Sequence, residues 1–227
     1  MKGSALFEND VPALGQISDD GRVRIVGREG ADLKIAFFGN SITRHGRAEA
    51  LGWQGDWGMA ASSRGKDYVH RLLTYLEEDG RRPACCIANL SEWERTRDMR
   101  LLEEGYAAAF AFGADIAVLR LGENAQLQEH LAAFERCYVS LAEKLQNGGA
   151  KVVLTDLFWA FPPFDSFVRE LARERGYAFA SISDLGAKEE MRAADRFAHA
   201  GVALHPGDRG MEEIARRLHA AIVEARF

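Results

Sequence analysis

The sequence predicts an α/β domain, a three-layer α/β/α sandwich around a parallel sheet of about five strands. Two observations carry this expectation. From Lys34 onward, short apolar runs without polar alternation recur between amphipathic stretches, as strands covered on both faces require. The 227 residues, 47% hydrophobic and 28% charged, also suffice to build one full core without disulfide staples.

The runs occupy residues 34–38, 84–88, 116–121, 151–155 and 177–180. Helical stripes lie between and after them. Val69, Leu72, Leu73 and Leu76 share one face; Leu127, Leu131, Phe134, Tyr138, Leu141 and Leu145 share another. Phe164, Phe167, Val168 and Leu171 form a third stripe, stopped by Arg173, Arg175 and Gly176. The last, with Met211, Ile214, Ala215, Leu218 and Ile222, starts after the turn Pro206-Gly207-Asp208. Two segments depart from the rhythm. Residues 1–33 read as an N-terminal extension packed on a 34–227 domain, with one short hairpin strand at 23–26. Residues 44–64 read as a long loop rich in glycine and tryptophan, and a loop of that length in a compact domain is usually functional.

The net charge of −5, with both signs mixed along the chain, excludes the basic footprint of a nucleic-acid binder. Glu8 and Asp10 interrupt any secretory signal, and Asp115 and Arg120 break the most apolar stretch, so no membrane span is expected. Cys85, Cys86 and Cys137 are an odd set with two adjacent members, which fits buried thiols in a reducing, cytoplasmic compartment.

In open parallel sheets ligands bind beyond the carboxyl ends of the strands. Three polar segments fall at such places: residues 37–43, with Gly39-Asn40-Ser41; residues 121–124, with Gly122-Glu123-Asn124; and residues 204–208, with His205. Singly, Ser41 suits a helix cap, Asn124 a turn and His205 a polar residue before a helix. Together they supply a nucleophile, a base and a side-chain amide for a developing oxyanion, the parts that acyl transfer needs.

In order and spacing, Gly39-Asn40-Ser41, Gly122-Glu123-Asn124 and His205-Pro206 resemble the blocks of SGNH (GDSL-like) hydrolases, with Asn40 where that family usually has Asp. Residues 52–62, Glu92-Trp93-Glu94, 120–124 and 205–211 resemble an uncharacterised bacterial branch of the same family. The resemblance implies a flavodoxin-like sandwich and a serine esterase acting through an acyl-serine intermediate, with a small-molecule or carbohydrate ester as partner. Within it Ser41 attacks, His205 carries the proton, and the Ser41 N–H with the Asn124 amide holds the oxyanion. Gly39, Asn40, Gly122 and Glu123 support these groups. Removal of acetyl from a carbohydrate is the preferred reaction; a degraded domain that binds a carbohydrate or small ligand is the alternative.

Two departures from the pattern bear on the site. The position three before His205 is Val202, where the family usually carries an orienting Asp. Either a backbone carbonyl orients the imidazole, or Asp208 or Asp195 replaces the missing carboxylate, with His199 a further neighbour. After the second parallel strand no glycine follows, so Ser91 or a neighbour must offer the second backbone donor. Trp53, Trp57 and Trp93 are expected to line an acyl- or carbohydrate-binding cleft. Thr43 at the fifth position rules out the Gly-x-Ser-x-Gly elbow. No phosphate-loop lysine, HExxH or paired-cysteine spacing is present, so no cofactor or metal is expected, and phosphate or flavin binding at the sheet edge ranks last.

Overall fold

The computed structural model describes residues 16–19, 21–194 and 196–227. Seven strands form one sheet: β1 (Gln16–Asp19), β2 (Val23–Val26), β3 (Leu33–Gly39), β4 (Pro83–Asn89), β5 (Ile116–Leu119), β6 (Lys151–Thr155) and β7 (Ala178–Ala180), in spatial order β1-β2-β4-β3-β5-β6-β7. From β4 to β7 all neighbours are parallel, and these are the five strands the apolar runs predict. The other two extend the sheet antiparallel. β2 pairs with β4, Val23 opposite Ala88 and Val26 opposite Cys85, and β1 pairs with β2. An uncovered β4 would leave a row of free N–H and C=O groups, and β2 satisfies them. The part of residues 1–33 that precedes Gln16 lies outside the described residues.

The helices are α1 (Tyr68–Glu78), α2 (Ser91–Thr96), α3 (Met99–Gly105), α4 (Ala107–Ala111), α5 (Leu127–Asn147), α6 (Pro162–Arg175), α7 (Ala200–Ala203) and α8 (Asp208–Glu224). They cover both sheet faces and make two cores. Ile35 and Phe37 of β3 pack with Leu72 and Leu73 of α1 and Ile214 and Leu218 of α8. Ala36 and Phe38 point the other way, toward Phe134 and Tyr138 of α5 and Phe164 of α6. The pleat explains this division, since successive side chains on a strand face opposite sides. It also sends the adjacent Cys85 and Cys86 into different cores, both as free thiols. Among the described residues no helix is long and apolar enough to cross a membrane.

β3 lies at the centre, and the chain leaves it toward β4 on one side before crossing to β5 on the other. Connections that diverge in this way open a crevice at the carboxyl end of the central strand, where ligands bind in such sheets. The segment that emerges there is Gly39-Asn40-Ser41.

Candidate active site

The turn after β3 is held from several sides. The N–H groups of Thr43 and Arg44 both donate to the Asn40 carbonyl, at 2.9 and 3.0 Å. Thr43 folds back over the strand end so closely that a Cβ at residue 39 would lie 1.8 Å from its Oγ1. Only glycine fits there. The Thr43 hydroxyl meets the Tyr68 hydroxyl of α1 at 2.7 Å, and Met59 N–H donates to the Ser41 carbonyl at 2.8 Å. Among the described residues, no acceptor takes the Ser41 N–H.

The Ser41 Oγ lies 2.9 Å from His205 Nε2, although the two are 164 residues apart in the chain. His205 reaches it from a short loop between α7 and α8, pinned by Ala193 N–H on the His205 carbonyl and Gly207 N–H on the Met191 carbonyl, each 2.9 Å. Its other nitrogen, Nδ1, is 2.7 Å from the Gly201 carbonyl. A carbonyl only accepts, so the proton belongs on Nδ1 and Nε2 presents a lone pair to the serine hydroxyl. Burial pushes the imidazole pKa down to about 4; the Gly201 carbonyl opposes this and the Arg120 charge adds to it. At neutral pH the ring is therefore uncharged, the form a base requires. The Trp159 indole packs edge-on against it, with ring centroids 5.1 Å apart.

Val202 does not face the imidazole. It is buried with Trp53, Met59, Ala60 and Ala193 in a small satellite core, where no carboxylate could be solvated. The orienting group is the carbonyl of Gly201, one of the two arrangements left open by the sequence. Asp208 is occupied elsewhere: as the first residue of α8 it accepts from the Ser62 N–H and hydroxyl at 2.8 and 2.7 Å and pairs with Arg196. His199 is exposed and caps α7 by accepting from Val202 N–H, so it supports the loop and not the imidazole. Asp195 lies outside the described residues.

Beside the dyad sits a buried polar cluster. Asn40, Glu94 and Arg120 are fully buried, and Glu123 nearly so. The Arg120 guanidinium donates to Asn40 Oδ1 and pairs with Glu123. Asn40 Nδ2 donates to Glu123 at 2.7 Å and to Glu94 Oε1 at 3.1 Å. Glu94 Oε1 also accepts the Gly122 N–H, and its Oε2 accepts from Asn124 Nδ2 at 2.6 Å. Arg95 in turn donates to Asn124 Oδ1 at 3.2 Å, which fixes the orientation of that amide. Asn40 thus bridges a cation and two carboxylates; an Asp there would place a third carboxylate in the cluster with no N–H to offer them. Gly122 adopts a φ of +134°, and a Cβ would stand 2.7 Å from Leu157 Cδ2, so glycine is required on both counts.

Other expected groups sit differently. Trp93 is wholly buried against Phe134, and Trp53 is 2% exposed and packs on Trp57 and Phe197. Neither offers a face to a ligand. Trp57 is half-buried and gives its indole N–H to the Ala61 carbonyl at 3.0 Å. The Ser91 N–H is taken by Asn89 Oδ1 at 2.9 Å, because Asn89 closes an Asx turn onto the start of α2, and Leu90 N–H is taken by the Gly39 carbonyl. The tryptophan that does stand at the dyad is Trp159, after β6. Its position at a parallel strand's carboxyl end was the available signal. Glu94 and Arg120 carried none, since nothing in their spacing shows that they meet.

The fold is that of GDSL-like (SGNH) lipases and esterases. It is similar to the psychrotrophic esterase EstA from Pseudoalteromonas sp., solved as inhibited by monoethylphosphonate (13% identity, TM-score 0.55, covering 85% of this chain and 98% of that one). It is likewise similar to TesA (17%, 0.54, 85% and 99%) and to a protein named as a GDSL-like lipase from Parabacteroides merdae (21%, 0.56, 84% and 95%). No family model matches the sequence, and no curated protein matches it.

Proposed function

We propose that the protein is a serine esterase that works through an acyl-serine intermediate. The observation that carries this reading is the 2.9 Å contact between Ser41 Oγ and the unprotonated Nε2 of a neutral His205, at the crevice of the central strand. Ser41 attacks the ester carbonyl as its hydroxyl proton passes to Nε2. The tetrahedral oxyanion accepts hydrogen bonds from the Ser41 N–H and the Asn124 amide. Collapse breaks the bond to the alcohol, whose oxygen takes the proton from Nε2. Water then repeats the sequence on the acyl-enzyme, releasing the acid and freeing Ser41.

The substrate class we favour is a short acyl group, acetyl, on a carbohydrate. What supports it is Trp159, a planar apolar face beside the imidazole that suits the C–H face of a sugar ring. Hydrolysis of p-nitrophenyl acetate tests the reaction. Wild type should turn over, and Ser41→Ala and His205→Ala should lose at least about 10³-fold in kcat/KM. An alkylphosphonate ester, the class of inhibitor held by EstA, should add its mass to the Ser41 peptide. Equal background rates in wild type and Ser41→Ala would overturn the enzyme reading in favour of a binding module. The engaged N–H groups of Leu90 and Ser91, which leave fewer oxyanion donors, are what keeps that second reading in view.

A further inference from the structure

Three N–H donors converge on the two carboxylate oxygens of Glu94, and among the described residues its carboxyl donates no hydrogen bond in return. The side chain therefore fits its place as a carboxylate, an acceptor at every lone pair in use. One of those donors is the Asn124 amide, and Arg95 holds the opposite end of the same amide by its oxygen. One N–H of Asn124 is spent on Glu94. The second has no partner among the described residues.

We infer that Glu94 is a positioning residue for ester hydrolysis, holding the Asn124 amide so that its remaining N–H is presented to the oxyanion. This rests on the serine-esterase reading above. The carboxylate acts through Asn124 and touches no substrate. A glutamine at residue 94 cannot replace it: with its oxygen toward Asn40 and Gly122, its NH2 would face the Asn124 NH2. That clash turns the amide over and withdraws the donor.

Holding an ion here has a cost in the fold. Burial, and after it the neighbouring Glu123 charge, raise the Glu94 pKa to about 7 against the pull of the Gly122, Asn124 and Asn40 donors. The groups facing it from the packed elements are Glu123 and Arg120 after β5, Asn40 after β3 and the Tyr138 hydroxyl on α5. Protonation puts an O–H where a donor already points. Activity should thus fall as the pH drops through about 7, a limb well above that of His205 near 4.

The test is p-nitrophenyl acetate hydrolysis by wild type, Glu94→Gln, Asn124→Ala and the double variant. Glu94→Gln should lower kcat on the order of 10²-fold with KM little changed, and should lose the limb near neutrality. In the Asn124→Ala background the same change should have almost no further effect. A purely structural Glu94 would instead move stability, so thermal melting at pH 8 is measured alongside: Glu94→Gln should melt no lower than wild type. The side-chain amide NMR signal of Asn124 should titrate with a midpoint near 7 in wild type and stay flat in Glu94→Gln. A full kcat in Glu94→Gln, an additive double variant or a flat wild-type amide signal overturns the inference alone. Absence of serine-dependent turnover in wild type overturns the esterase reading and this inference with it.

Discussion

The histidine is the residue on which the candidate chemistry turns. Among the described residues its Nδ1 meets no carboxylate, only the carbonyl of Gly201, so an imidazolium formed in the proposed acylation would be stabilised there by a dipole and not by a charge. Restoring the usual acid would not help. Val202 is 1% exposed in the satellite core, and Val202→Asp buries a carboxyl among Trp53, Met59 and Ala60. We expect a loss of about 3 kcal/mol, read as a Tm lower by roughly 6–12 °C, with no gain in kcat. At this scale the residue types that the structure brings together were readable from sequence: serine and asparagine stood after strands, and histidine before the last helix. Their partners were not. A backbone carbonyl at Gly201 has no signature in the residue type, and a buried Glu94 looks in sequence like any other acidic position on an amphipathic helix.

Among the elements, the segment between β3 and α1 shows how local composition misdirects. Tryptophans among glycines suggest rings on display in a loop. In the fold one of those glycines is there to admit the rings: a Cβ on Gly55 would sit 2.4 Å from Trp53 Cζ2. Short bridges, His45 with Trp57 and Ala48 with Trp53, close the segment around two indoles in edge contact at 5.6 Å. This small core also receives Val202, so it ties the serine turn to the histidine loop. Trp53→Ala should therefore cost about 3–5 kcal/mol in chemical denaturation and also reduce kcat, because the loop bearing His205 loses its support. Trp159→Ala, by contrast, removes a half-buried ring at the dyad, and should raise KM for a sugar acetate more than it lowers Tm. Equal effects on sugar and non-sugar esters would count against the carbohydrate assignment.

For the molecule as a whole, two of the site's perturbed groups, His205 and Glu94, act on stability with opposite signs. His205 has a folded pKa near 4, below its ordinary 6.5, so the unfolded chain binds the proton first. Its contribution is complete above about pH 6.5 and is lost as the pH falls through 4. Glu94 has a folded pKa near 7, above its ordinary 4.5, so its contribution is present below about 4.5 and lost as the pH rises through 7. Urea unfolding of Glu94→Gln should accordingly show a smaller decline between pH 5 and 8 than wild type. Sequence by itself determined the layer order, the five parallel strands, the amphipathic helices and the two polar segments that follow β3 and β5, because burial on one or two faces writes a period of 3.6 or an unbroken apolar run into neighbouring residues. Only the tertiary structure decided that β2 closes the β4 edge, that Gly201 orients the imidazole, and that Glu94, Arg120, Glu123 and Asn40 form one buried cluster. Those contacts join residues far apart in the chain, and no local pattern records which distant group will satisfy a buried donor or charge.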